Sequence, residues 1–179
     1  MASSTSSFWR DANFVPITTD GLTVSTTLTV NGTNNTFNPP IYTITGAVEI
    51  RALWGVVTTA LGSNQTAAYW RLNDQTAQPD ITLNTGTTVS SLAAGSIVAK
   101  KGLAAAALIA INNSAGRINE PTTLETNYFG PFVLTKKTAA LTQIEWVYTT
   151  NQSPTTGAIQ FFLRFLPLTT DGDVTGVAT

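Results

Sequence analysis

The acidic residues are the side chains of this chain best suited to chemistry, because the sequence contains no histidine and no cysteine. A pair of carboxylates hydrolyses glycosidic bonds without help from histidine. The acids that fall together in predicted loops are Asp74 with Asp80, and Glu120 with Glu125. No feature of the sequence brings either pair into a shared cleft. We therefore expect these carboxylates to be solvated and predict no catalytic residue.

The missing residue types exclude several kinds of site. Histidine is the usual general base near neutral pH and the commonest metal ligand, and cysteine is the strongest side-chain nucleophile. Their absence excludes Cys–His and Ser–His–Asp catalysis. The segment Asp171-Gly172-Asp173 is similar to a fragment of a calcium loop, but it lacks the further oxygen ligands and the distal glutamate of an EF-type loop. The sequence predicts no metal, no cofactor and no enzymatic activity.

Charged residues make up only 11% of the chain. The basic ones cluster only as the doublets Lys100-Lys101 and Lys136-Lys137, which we expect to be solvated at strand or loop ends. A nucleic-acid site needs a patch that neutralises several phosphates, so no nucleic-acid partner is predicted. The longest apolar run, Leu103 to Ile111, has about half the length of a membrane span, and the first residues lack the pattern of a secretory signal. No membrane partner is expected.

Threonine is the commonest residue, with 33 copies among 179 residues. Its β-branched, half-polar side chain suits a pleated surface that is wet on one side. A surface with few charges also loses little ionic solvation when a neighbour covers it. The composition therefore predicts a scaffold or binding surface that associates with other subunits.

Alternation of apolar and polar residues dominates the chain and predicts strands. From Tyr42 to Val56 the even positions are apolar and include Trp54, so this face is predicted to be buried. Because fifteen residues are long for one strand, we expect a bend or bulge at Gly46 or Gly55. The same alternation is shorter at 66–72 and 80–83.

Two further alternating runs lie near the C-terminus, at 144–149 and 159–165, and flank a polar segment with proline and glycine. This arrangement predicts a hairpin. Its facing aromatic residues, Trp146 and Tyr148 with Phe161 and Phe165, are predicted to form cross-strand pairs on one core face.

The alanine-rich middle, residues 89–112, has helical propensity, but interruptions at Gly95 and Gly102 favour strands joined by turns. Residues 113–128 are predicted to form a long surface loop. Short strands without a βαβ rhythm indicate an all-β fold, an antiparallel β-sandwich or jelly roll. We assign residues 1–21 to an extended N-terminal arm and residues 22–179 to the β-sandwich domain.

The two ends of the chain share a sequence. Residues 14–21 recur as residues 165–172, with six of eight positions identical. One interpretation is two similar turns at strand exits. The other is that the N-terminal segment adds as a strand to a neighbouring subunit, at an edge like the one that the C-terminal segment uses.

A serine- and threonine-rich leader ends in two adjacent aromatic residues and an arginine, Phe8-Trp9-Arg10. Tryptophan and arginine are enriched as anchors of protein interfaces. We predict that Phe8, Trp9, Arg10 and Phe14 bind a partner subunit, with packing of the arm on its own domain as the alternative.

These end segments carry a resemblance to a protein family. Residues 8–17 contain Trp9-Arg10-Asp11-Ala12-Asn13-Phe14-Val15-Pro16, which resembles the W-R-D-x-N-x-V-P opening of small virion proteins of tailed bacteriophages. Residues 157–174 are similar to the closing segment of these proteins, although Phe165 stands where their pattern has tryptophan. Residues 43–51 are similar to their first core strand.

The resemblance implies a β-sandwich structural protein of the virion, a decoration (cement) protein on the capsid exterior. Its implied partners are the major capsid protein and copies of itself, in a homotrimer. The alternative is a host-glycan-binding module on a fibre or tail. Such a module needs exposed aromatic residues, for which Tyr69, Tyr128 and Phe129 are the candidates.

Overall fold

The structure is a computed structural model and describes residues 21–32, 35–63, 65–75, 77–82, 87–102, 106–111, 130–137, 140–151 and 156–177. Within these residues there are eleven strands and no helix. The strands are β1 (Leu22–Thr29), β2 (Asn35–Phe37), β3 (Pro40–Thr45), β4 (Ala47–Thr59), β5 (Gln65–Asn73), β6 (Ile97–Ala99), β7 (Ile109–Ile111), β8 (Phe132–Thr135), β9 (Thr142–Thr150), β10 (Ala158–Pro167) and β11 (Asp173–Gly176). They form two packed antiparallel sheets, which confirms the predicted all-β sandwich.

The two sheets are built around long central strands. In the six-stranded sheet the order is β1-β10-β4-β6-β7, and β8 also pairs with β4. In the five-stranded sheet the order is β11-β3-β9-β2, and β5 also pairs with β9. Strands β2 and β3 pair with successive parts of β9, and β5 pairs with the same parts of β9. Strand β5 therefore lies along one edge of β9, and β2 and β3 lie along the other.

The core lies between the sheets and is centred on three aromatic rings. Trp70 and Trp146 meet edge to face with ring centroids 5.0 Å apart. Phe161 of the opposite sheet lies 5.1 Å from Trp146 and 6.2 Å from Trp70. All three side chains are fully buried. This cluster joins the two sheets through ring contacts in the favourable distance range.

Gly46 is the point at which the chain leaves one sheet for the other. It lies between β3 and β4 and has φ +53°, a left-handed conformation that glycine adopts without penalty. A Cβ atom here would lie 2.6 Å from the backbone nitrogen of Gly172. The expected bend is therefore confirmed at Gly46. Gly55 instead lies inside β4, where its missing side chain leaves room for the ring of Phe161.

The predicted hairpin between 144–149 and 159–165 is wrong. Both runs are strands, but β9 belongs to the five-stranded sheet and β10 to the six-stranded sheet. Alternation shows that one face of a strand is buried, but a strand of either sheet has the same pattern. It therefore cannot distinguish two strands paired in a hairpin from two consecutive strands in different sheets. Trp146 and Phe161 do meet, but across the core rather than across a strand pair. Tyr148 stacks instead on Phe37 of β2, with centroids 5.3 Å apart.

The middle of the chain follows the strand interpretation where it is described. Residues 89–102 contain turns and β6, and residues 106–111 contain β7. At 80–82, where alternation predicted a strand, the described residues form only an isolated bridge between Asp80 and Arg71. The predicted surface loop at 113–128 lies outside the described residues.

Residues 1–20 of the predicted N-terminal arm, with its anchors Phe8, Trp9, Arg10 and Phe14, also lie outside the described residues. The C-terminal copy of the shared sequence is described. It ends β10 and then turns back beside Gly46, where the hydroxyl of Thr169 accepts a hydrogen bond of 2.9 Å from the backbone of Ala47.

Candidate functional site

The outer face of the six-stranded sheet carries an apolar cluster, which we call the aromatic face. It consists of Trp54, Val56, Ile97, Ala99 and Phe162, all half-buried. Strand register brings them together in two rows, Phe162–Trp54–Ala99 and Gln160–Val56–Ile97. None of the five belongs to the buried core or packs against it, so the cluster faces away from the core.

The centre of the aromatic face is a stacked ring pair. The rings of Trp54 and Phe162 have centroids 5.3 Å apart and an interplanar angle of 11°. Ser25 and Gln160 adjoin it in the strand register, and the exposed Arg164 follows two residues after Phe162 on the same strand. Aromatic residues and arginine are enriched at protein interfaces, whereas most charged residues are depleted from their centres. This arrangement suits contact with another surface.

Sequence reasoning placed Trp54 and Val56 in the core, and the structure reverses this. The pairing of β4 with β10 shifts register between Ile50 and Ala52, and Arg51 is the extra residue of this bulge. An extra residue moves every following side chain to the opposite face. The buried positions are therefore even up to Ile50 and odd from Leu53 onward. The sequence does carry one sign of this change from even to odd buried positions: Leu53 is an apolar residue on the face that alternation predicted to be exposed to solvent.

A cavity of about 270 Å³ lies between the two sheets, and we call it the end pocket. Its wall is mostly apolar and comes from both sheets and from the segment that follows β5. The lining residues are Leu72, Pro79, Asp80, Ile81, Lys100, Gly102, Gly130, Pro131, Phe132 and Leu134. The end pocket thus combines an apolar interior with one lysine and one aspartate.

Lys100 of the end pocket is only 7% exposed, although the sequence indicated a solvated lysine. The prediction is wrong because Lys100 continues the inward-facing phase of β6, two residues after buried Val98. Its Nζ donates a hydrogen bond of 3.0 Å to the carbonyl of Gly102 and lies 5.8 Å from the ring centroid of Phe132. Burial lowers the pKa of the Lys100 ammonium.

Glu145 is a second charged residue that the structure buries. Alternation put it on the wet face of β9, but it is 3% exposed. Arg71 donates to its Oε2 from Nε at 3.0 Å and from Nη2 at 2.5 Å, and Asn73 donates to Oε1 at 2.7 Å. The three side chains come from paired strands β5 and β9. Every carboxylate oxygen is therefore hydrogen-bonded, which identifies this group as a cross-strand clamp.

The acids considered for catalysis have separate surroundings. Asp74 accepts a hydrogen bond of 2.6 Å from the backbone of Ala77 and pairs with Lys137 at 3.8 Å. Asp80 lines the end pocket. Across the described part of the chain, no three acidic residues come together as a group that could hold a metal ion. None of the described residues belongs to a helix long and apolar enough to cross a membrane.

The aromatic residues proposed for a glycan site are divided. Tyr69 is half-buried and lies opposite Val147 in the five-stranded sheet, whereas the aromatic face belongs to the six-stranded sheet. The other two candidates, Tyr128 and Phe129, and the acids Glu120 and Glu125 lie outside the described residues. Comparisons of the chain with family models, with curated proteins and with solved structures find no match.

Two buried tyrosines make stability sensitive to alkaline pH. Burial raises the pKa of the Tyr42 and Tyr148 phenols, and the Tyr148 hydroxyl donates a hydrogen bond of 3.0 Å to the carbonyl of Asn31. As pH rises, the unfolded chain releases these phenol protons before the folded protein does, at about pH 10. The free energy of unfolding should therefore be intact below this pH and fall above it.

We expect Tyr42→Phe to make this alkaline fall shallower, because it removes the hydroxyl that must stay protonated in the core. Urea unfolding at about pH 8 and about pH 11 measures the effect in both proteins. Lys100 acts in the opposite direction, since its lowered pKa favours folding as pH rises, and it is common to both proteins. Equal losses in the wild type and Tyr42→Phe would contradict this assignment.

Proposed function

We propose that this protein is a non-enzymatic structural protein of a bacteriophage virion, a jelly roll that decorates the capsid exterior. Strand order supports the jelly roll: β1-β10-β4-β6 in one sheet opposes β3-β9-β5 in the other. In both sheets, strands from the first part of the chain thus pair with strands from its last part. Jelly rolls, which are built from two Greek keys, have this kind of pairing. Viral capsid and lectin domains use this architecture, and a fold alone does not assign a function.

The aromatic face is the observation that carries the proposal. Its five residues are uncharged, and its stacked pair offers two large rings at the middle of a broad sheet. Large aromatic side chains near the centre of an interface contribute most of the binding free energy. In this proposal the aromatic face docks on the major capsid protein. Phe8, Trp9, Arg10 and Phe14 of the arm join copies of the chain into a homotrimer.

The docking is tested with capsids prepared without this chain, to which the purified full-length protein is added. We expect the wild type to bind them and Trp54→Ala/Phe162→Ala to bind at least tenfold more weakly, about 1.4 kcal/mol or more. The matched control is Tyr69→Ala, a half-buried aromatic residue of the other sheet, which should bind like the wild type. Equal binding by all three proteins would exclude the aromatic face as the docking surface.

A glycan-binding module is the second candidate, and the same ring pair favours it. Sugars pack their apolar faces on aromatic rings and take hydrogen bonds from polar neighbours, a role open here to Gln160 and Arg164. A glycan array separates the two proposals. Specific binding that Trp54→Ala abolishes would support the module, whereas a silent array together with capsid binding supports the decoration protein.

A further inference from the structure

A row of basic residues borders the aromatic face. In the strand register, Arg164 of β10 lies opposite Ala52 of β4, one row along the sheet from the pair Phe162–Trp54. Side chains two residues apart on a strand point to the same face of the sheet. Arg164 therefore lies on the same outer face as Phe162, and it is exposed to solvent.

Lys101 extends this row on the other side of Ala52. Lys100 continues the pairing of β6 with β4, because its backbone N–H donates a hydrogen bond of 3.0 Å to the carbonyl of Leu53. The same register, continued by one residue, puts Lys101 opposite Ala52. Because the Lys100 side chain is buried on the inner face, the next residue along the extended chain faces outward. Lys101 is half-buried there.

The basic row has no acidic counterpart on this sheet. Glu49 is the one acidic residue within the six described strands of the sheet, and it pairs with Arg51 at 3.3 Å. Across the residues that the structure describes, neither Arg164 nor Lys101 takes part in an ion pair. The outer face thus presents stacked rings beside two positive charges. Protein interfaces are arranged so that a positive patch meets a negative one.

We infer that the partner of the aromatic face is an acidic surface, whose carboxylates contact Arg164 and Lys101 while an apolar patch covers Trp54 and Phe162. This inference rests on the proposed function and specifies the chemistry of the region of the major capsid protein that docks. Contacts between apolar surfaces contain no charge that salt could screen, whereas attraction between exposed charges weakens as ionic strength rises. The salt dependence of docking therefore distinguishes an acidic partner from a purely apolar one.

The test uses capsids prepared without this chain and the full-length protein, in sodium chloride at about 0.05 M and about 0.5 M. We expect the wild type to bind at least about tenfold more weakly at the higher concentration. Arg164→Glu should bind at least about tenfold more weakly than the wild type at the lower concentration, and high salt should reduce this difference. Lys101→Glu should act in the same direction.

The matched control is Lys136→Glu, which changes the net charge by the same amount as Arg164→Glu. Lys136 is exposed and follows β8, which pairs with the opposite end of β4 from the aromatic face. This variant should bind like the wild type at both salt concentrations. A loss as large as that of Arg164→Glu would reflect net charge alone and would overturn the inference.

The remaining outcomes separate this inference from the proposed function. If Trp54→Ala/Phe162→Ala loses docking while Arg164→Glu and added salt leave it unchanged, the partner surface is apolar only, and the inference is overturned with the docking intact. Failure of the wild type to bind capsids would overturn both. Selective binding of acidic glycans in place of capsids would overturn the acidic protein surface and assign the negative charge to a sugar.

Discussion

Replacing Glu145 by alanine should lower the free energy of unfolding by about 3–5 kcal/mol. The substitution leaves Arg71 in place, with a side chain only 15% exposed, and removes the carboxylate that both of its donor nitrogens contact. The amide of Asn73 loses its acceptor as well. An uncompensated buried charge costs far more than the pair contributed, which is why this loss should be among the largest in the chain.

A surface ion pair provides the matched control for this prediction. Glu49 pairs with Arg51 at 3.3 Å, with side chains 25% and 31% exposed, so Glu49→Ala should cost less than about 1 kcal/mol. The double substitution Arg71→Met/Glu145→Leu should recover most of the loss, since it removes both charges together. Urea unfolding measures all three. Similar losses for Glu145→Ala and Glu49→Ala would show that the clamp is not buried as described.

Trp146→Ala is expected to lower the free energy of unfolding by about 3–5 kcal/mol as well, through a different mechanism. Trp146 is fully buried and contacts Trp70 in its own sheet and Phe161 in the opposite one. Alanine would open a cavity where the two sheets meet. Because domains are stable by only about 5–15 kcal/mol, this loss is a large share of the total stability.

Two tryptophan variants sharpen this test. Trp54→Ala removes the same side chain from the half-buried aromatic face and should cost clearly less than Trp146→Ala. Trp146→Phe keeps a ring in the core and removes a buried indole N–H that has no hydrogen-bond partner among the described residues, so its loss should also be smaller. If Trp54→Ala proved as destabilising as Trp146→Ala, the assignment of the two faces of β4 and β9 would be wrong.

Alternation predicted the strands better than it predicted their pairing. It identified β3, β4, β5, β9 and β10 and the bend at Gly46, because period-two burial is a local property of each strand. It could not assign β9 and β10 to different sheets, because a strand facing a shared core reads the same from either side. The partners of a strand depend on contacts between residues distant in sequence, as in the pairing of β1 with β10.

The two candidate sites were hidden from the sequence for separate physical reasons. The bulge at Arg51 turns Trp54 outward. In the sequence, this bulge is indicated only by Leu53, where the apolar residues of the strand change from even to odd positions. Lys100 and Glu145 appear solvated because charged residues usually are. Their burial depends on Phe132, Arg71 and Asn73, which the fold brings to them from other strands.

The central proposal is that this chain is a structural protein of a phage capsid, and its copy number in virus particles tests that proposal most directly. Quantitative mass spectrometry of purified phage particles from the source of this sequence measures this chain against the major capsid protein. A decoration protein is expected at a fixed, lattice-wide fraction of the capsid protein. A few copies per particle would move the chain to a vertex, fibre or tail, and its absence from the particles would contradict the account.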